Sequence, residues 1–167
     1  MTRTALPIDS PAPPFTLPDH NERDASLSDF AGRWVVLYFY PKDDTPGCTT
    51  EACEFTAAFP AFTGMDADIL GCSPDTPASH RRFMERHALK IRLLSDRDHR
   101  VMSAYGAWGE KSMYGRTTQG VIRSTVIIAP DGTVAAHWPS VRAAGHAATV
   151  RETLATLRAV PPGPTGG

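Results

Sequence analysis

No apolar run in the 167-residue sequence approaches the roughly 18 residues that span a bilayer. The first twenty residues carry five prolines and no apolar block, so no secretory signal is expected. Neither charge dominates: 17 Lys and Arg stand against 18 Asp and Glu, for a net charge of −1 and a pI near 6.6. No bulk positive field therefore exists to attract nucleic acid or anionic lipid, and neither is expected as a partner. Lysine is scarce, three against fourteen arginines, a bias that carries no functional weight. Cysteine is scarce too. Cys48, Cys53 and Cys72 are an odd set, too small for a disulfide scaffold. The cytoplasm, where lasting disulfides are rare, is the expected compartment. The C-x4-C spacing is tolerable for zinc, but no second pair follows and the six histidines are scattered, so no metal is expected. Collagen, coiled coil, membrane span and wholesale disorder are excluded by the same composition.

What is present is an ordinary globular chain, 41% hydrophobic and 21% charged. At this length it buries roughly two thirds of its unfolded surface and needs no covalent staple. Residues 1–11 read as an N-terminal extension, 12–160 as one domain, and the Pro- and Gly-rich 161–167 as a disordered tail. Trp34–Tyr40 (WVVLYFY) has the continuous β-branched and aromatic character of a strand buried on both faces. A helix is expected from Cys48 to about Phe59, and strands over Asp68–Ser73, Ile91–Leu94 and Ser124–Ala129. Thr76-Pro77 offers an N-cap and a first-turn proline for a helix with His80, Phe83, Met84 and His87 on one face. Arg100–Tyr105 reads as a short helix, and the turn at Pro130-Asp131-Gly132 returns Thr133–Trp138 as a hairpin partner. Ala143–Val160 closes the chain as an amphipathic helix. Strand–helix alternation ending in a hairpin and a helix predicts an α/β fold of thioredoxin-like type, with a mixed central sheet and helices on both faces.

The segment Pro41–Cys53 (PKDDTPGCTTEAC) joins a buried strand to a helix, where open α/β sheets bind ligands. Cys48 falls in the first helical turn, facing unsatisfied N–H groups and the positive end of the helix dipole. That environment favours a thiolate. Thr45 can aim its hydroxyl into the same space, and Pro41 and Pro46 stiffen the loop.

The segment YPKDDTPGCTTEAC resembles the active-site stretch of the peroxiredoxins, closest to the bacterioferritin comigratory protein, or peroxiredoxin Q, subfamily. PAPPFTLPD, LLSDRDHRVMSAYGAWG, KSMYGR and GVIRSTVIIAPDG resemble further family blocks in the same order, covering about residues 12 to 160. P-x3-T-x2-C followed about 75 positions later by IRSTxxI is a specific signal. The resemblance implies that Cys48 is the peroxidatic cysteine, Thr45 the peroxide-binding hydroxyl, Arg123 the arginine facing the thiolate and Cys53 the resolving cysteine. It implies that Glu51 helps to hold the arginine. It also implies reduction of hydrogen peroxide and organic hydroperoxides, with electrons from thioredoxin or a glutaredoxin-like dithiol, no cofactor, and a monomer or weak homodimer. Rival readings are a dithiol–disulfide oxidoreductase, against which stands the lack of C-x-x-C, and a non-catalytic thiol sensor.

Thiolate supply alone does not make a peroxidase. Lowering a thiol's pKa from about 8.5 to near 6 gains about thirtyfold in ionised fraction at neutral pH. Lost nucleophilicity, with a Brønsted slope of about 0.4–0.5, returns most of it. Donors around the peroxide must supply the rest, and Thr45, the Cys48 N–H and Arg123 are the expected ones. Cys48 and Cys53, five positions apart, lie about 7.5 Å along a helix and 140° around it. A disulfide needs Cα atoms within about 4.4–6.8 Å, so the helix must open for the pair to close. Other residues invite plainer readings. Cys72 is expected to be a packing cysteine, with a backup resolving role as the alternative. Asp43 and Asp44 read as solvated loop acids, Asp96 and Asp98 as helix caps, and His80 and His87 as packed or boundary residues. Phe39, Tyr40, Phe55 and Trp108 are either walls of a peroxide pocket or plain core.

Overall fold

A computed structural model describes residues 5–113 and 115–159. The tail expected over 161–167, the first four residues of the N-terminal extension and Val160 lie outside the described residues. Five strands form the central sheet: β3 (Trp34–Phe39), β4 (Ala67–Ser73), β5 (Arg92–Ser95), β8 (Ser124–Ile128) and β9 (Val134–Trp138), in the order β5-β4-β3-β8-β9. The pairs β3–β4 and β4–β5 are parallel, β3–β8 and β8–β9 antiparallel, which is the mixed sheet expected. β3 is central and apolar throughout because it is covered on both faces. Val36 and Tyr38 point to one side of it, Val35, Leu37 and Phe39 to the other.

The face carrying Val36 and Tyr38 packs under α1 (Pro46–Gly64), α2 (Pro77–His87) and α4 (His146–Ala159), through Phe55, Phe62, Phe83, Val150 and Leu154. The opposite face packs under α3 (Arg100–Ala104), a 3-10 turn at Leu27–Phe30 and a small hairpin of β1 (Thr16–Pro18) and β2 (Asp24–Ser26). Thr76 accepts from the Ser79 N–H at 3.1 Å and caps α2 as expected, with Pro77 at its first position. α1 runs past the Phe59-Pro60 step to Gly64, with Pro60 on the exposed side where its missing N–H disturbs the least. Asp96 Oδ2 accepts from the Met102 N–H and Asp98 Oδ1 from the Arg100 N–H, so both acids serve the start of α3.

Besides the β1–β2 hairpin and the 3-10 turn, two regions have no counterpart in the sequence expectations. Residues 6–12 run along β9, where the Asp9 N–H donates to Val134 O and the Val134 N–H to Ser10 O, both at 2.8 Å. A two-stranded arm, β6 (Trp108–Met113) with β7 (Arg116–Val121), projects between α3 and β8. Its β7 strand is largely exposed, and its polar sequence carries none of the alternation that marks a half-buried strand.

Candidate active site

The carboxyl end of β3 delivers the chain into the loop at Tyr40–Thr45 and then into α1. Thr45 is the N-cap residue of α1 and Pro46 its first-turn proline. Thr45 does not cap the helix with its side chain. Its hydroxyl donates instead to Lys42 O at 2.8 Å, so its one proton is committed and its oxygen is left to accept. The first-turn N–H groups of α1, Cys48's included, are thereby not taken up by the Thr45 side chain.

Arg123 enters from the other direction. Ser124 at the start of β8 pairs with Phe39 at the end of β3, so the residue before it lies beside the loop that carries Cys48. Arg123 Nη2 donates to Cys48 Sγ at 3.2 Å, and Nη1 donates to Glu51 Oε1 at 2.6 Å. The planar guanidinium thus spans thiol and carboxylate with two parallel donors. Burial acts to lower the Arg123 pKa, but Glu51 and Cys48 outweigh it and leave it raised. Gly47 gives the guanidinium its room: a Cβ there would stand 3.2 Å from Arg123 Nη2.

Glu51 is fully buried, and burial pushes its carboxyl up to about 7 against the opposing pull of Arg123. Its Oε2 finds no partner among the described residues. Cys48 is 1% exposed, but the Arg123 side chain beside it is 17% exposed, so water reaches the edge of the cluster. Behind the arginine, His146 accepts or donates a hydrogen bond with Thr125 Oγ1 at 2.8 Å. Burial, aided by Arg123, brings the His146 pKa down to about 4 and keeps the ring neutral. The sequence gave no sign of His146, because only the β8 register places Thr125 beneath it.

Cys53 is half-buried on α1, which is regular through both positions, and all three cysteines are free. Cys72 is fully buried on the opposite sheet face, in the cluster with Phe39 and Leu94. Tyr40 and Phe55 share the Cys48 cluster, whereas Phe39 lies on the far side and walls nothing near the thiol. Trp108 stacks on His99 at 3.6 Å and, with Pro41, lines a groove of about 720 Å³ that Cys48 does not reach.

The expectation of solvated loop acids is wrong for Asp43. It is buried and accepts from Tyr40 Oη at 2.6 Å and Ser79 Oγ at 2.8 Å, with His80 Nδ1 at 2.8 Å. Asp44 stays partly exposed and pairs with His87 and Arg86. Two adjacent acids look alike in a sequence. Here α2 comes close enough to bury one and edge the other.

The AhpC/TSA family model matches residues 8–137. Peroxiredoxin Bcp of Bacillus subtilis is 40% identical over 149 residues, which is 89% of this chain and 95% of that protein. Peroxiredoxin Bcp of Xanthomonas campestris is 42% identical over 154 residues, covering 91% of this chain and 94% of the relative. Among solved structures, Xanthomonas campestris bacterioferritin comigratory protein, described for its alkyl peroxide reduction activity, superposes with a TM-score of 0.82. It shares 39% identity over 86% of this chain and 92% of its own. Xylella fastidiosa PrxQ, as a Cys-to-Ser variant, gives 0.86 at 34% identity, over 92% and 98% of the two chains. With a family model over most of its length, relatives matched almost end to end and the thioredoxin-like fold in common, this chain belongs to the AhpC/TSA family as a peroxiredoxin of the Bcp/PrxQ type, a thiol peroxidase.

Proposed function

We propose that the chain reduces hydrogen peroxide and organic hydroperoxides, with Cys48 as the attacking thiolate. The observation that carries this reading is the 3.2 Å contact between Arg123 Nη2 and Cys48 Sγ, bought into place by the β3–β8 register. A guanidinium keeps its charge at any working pH, so it offers a charged donor to the attacking sulfur and to the departing oxygen. The thiolate attacks one peroxide oxygen, the O–O bond breaks, and Cys48 becomes a sulfenic acid while the other oxygen leaves as water or alcohol after taking a proton. The Thr45 oxygen accepts from the peroxide O–H, the Cys48 N–H and Arg123 donate to the oxygens, Glu51 fixes the guanidinium, and Pro41 stiffens the approach.

Cys53 then attacks the sulfenic sulfur and expels its oxygen as water, closing a Cys48–Cys53 disulfide. Because both residues sit in one regular helix, α1 opens locally between them for this step. An external dithiol, thioredoxin or a glutaredoxin-like protein, returns the two electrons in the cytoplasm, and the working unit is a monomer or weak homodimer. Cys72 takes no part: burial, with Asp96 nearby, pushes its thiol well up, and a sheet separates it from Cys48. The test is turnover with excess hydrogen peroxide and a thioredoxin regenerating system. Continuous turnover lost in Cys48→Ser supports the reading; a single equivalent consumed, as by a sensor, or turnover surviving Cys48→Ser overturns it.

A further inference from the structure

The buried acid upstream of the thiol belongs to a set of contacts that the chemistry at Cys48 does not use. Four groups from three parts of the fold converge on Asp43. Tyr40, at the end of β3, donates to Oδ1, and Ser79, on α2, donates to Oδ2. His80 Nδ1 stands 2.8 Å from Oδ2, and the Asp43 N–H donates to Asp75 Oδ2 at 2.8 Å. The other ring nitrogen of His80 stands 2.9 Å from Leu94 O. A carbonyl oxygen only accepts, so His80 Nε2 carries a hydrogen. Nδ1 then faces the carboxylate whose two oxygens also accept from Tyr40 and Ser79. His80 has no exposed side-chain surface and Asp43 has 4%. Next to it Asp44 is held by His87 at 2.9 Å and Arg86 at 3.2 Å, so α2 grips two successive residues.

The chain on the other side of Cys48 is secured differently. From Thr49 to Cys53 it is held by the helix ladder, by the burial of Glu51 and Ala52, and by a single side-chain hydrogen bond among the described residues, from Arg123 to Glu51. Buried, mutually connected polar contacts open less readily than a helical turn near its end.

We propose that Asp43 and His80 are positioning residues for Cys48: their buried pair pins the chain entering the helix onto α2, so that α1 opens only beyond Cys48 and Cys53 is the thiol that travels. The inference rests on the reading of Cys48 and Cys53 given above. It makes the attacking sulfur a fixed post, kept against Arg123 through the first step, while the resolving arm swings.

Hydrogen exchange read by mass spectrometry on the full chain, reduced and after one equivalent of hydrogen peroxide, tests it, with the disulfide located in the same samples. The expected result is a Cys48–Cys53 disulfide with exchange accelerated over residues 49–55 and unchanged protection of the Asp43 and Asp44 amides. Accelerated exchange at 43 and 44 in step with 49–55, or a disulfide joining Cys48 elsewhere, overturns the inference. A failure of the Cys48 reading has a different signature, turnover that survives Cys48→Ser. In variants, Asp43→Ala is expected to slow the first oxidation of Cys48 by about ten- to a hundredfold, since small displacements of a reacting group cost that much. Asp43→Asn keeps the geometry, its amide donating to a neutral His80 ring, and is expected to return to within about threefold of the parent rate. An Asp43→Ala protein that oxidises at the parent rate overturns the inference. If that variant does not fold, the exchange pattern and the Asn variant still decide.

Discussion

Cys48 and Cys72 are both buried, 1% and 0% exposed, and both lie at the carboxyl end of the central strands. They differ in everything else. One shares its face of the sheet with Arg123, Glu51 and the helix start of α1, and the other is packed among Phe39, Leu94 and Met102. A donor guanidinium stands 3.2 Å from the first sulfur, whereas burial beside Asp96 drives the second thiol's pKa well up. Burial therefore does not silence a cysteine. What sits within hydrogen-bonding distance decides.

The sharpest way to break this comparison is to exchange the two sulfurs for oxygen. Cys48→Ser is expected to lower peroxide turnover at least about a thousandfold, as loss of a nucleophile does, and Cys72→Ser to leave the rate per folded molecule unchanged. A coupled assay at matched folded concentration checks both. Arg123→Met is expected to cost about 10²–10³-fold in the rate of Cys48 oxidation by stopped flow. Arg123→Lys is expected to recover little of it, because a point charge cannot reach Cys48 and Glu51 together.

Two groups behind the site titrate in opposite senses. The Glu51 carboxyl, raised to about 7, binds its proton more tightly folded than unfolded. Its contribution to stability is present below its ordinary value and is lost as pH rises through 7, about 3 kcal/mol in all. His146, lowered to about 4, contributes stability that is present above its ordinary value and lost as pH falls through 4, by a similar amount of about 3 kcal/mol. Urea midpoints measured across this range are expected to lose their alkaline decline in Glu51→Gln and part of their acid decline in His146→Gln. The smallest effect belongs to Cys72→Ala, about 1–2 kcal/mol of stability for a lost buried sulfur, with no change in turnover.

Much of the site was legible in the sequence because its parts are local and ordered. Pro41, Thr45, Cys48, Glu51 and Cys53 fall within one strand–loop–helix junction, and Arg123 sits before a strand whose apolar run was plain. The β3, β4, β5 and β8 strands announced themselves through apolar runs, β9 through the Pro130-Asp131-Gly132 turn before it, and α2 through its Thr-Pro cap. What stayed hidden depends on distant neighbours. Asp43 looked solvated because nothing near it in the chain reveals that Ser79 and His80 close over it. The β6–β7 arm lacks a hydrophobic face, and β1 and β2 are three residues each, too short for any period to show. α1 outran its expected end because a proline on the solvent side of a helix need not stop it.

The segment that borders β9 carries a consequence for how the protein is made. Its contacts join partners as far apart as Leu6 and His137, 131 positions in the chain. During folding, residues 6–12 must wait for β9, more than a hundred positions later, before they find it, a loop closure that is slow compared with local pairing. Until then β9, once formed, offers a bare row of N–H and C=O groups, the kind of margin on which another copy of the chain can add a strand. The exposure of β9 to misassembly thus ends when residues 6–12 fold back over it.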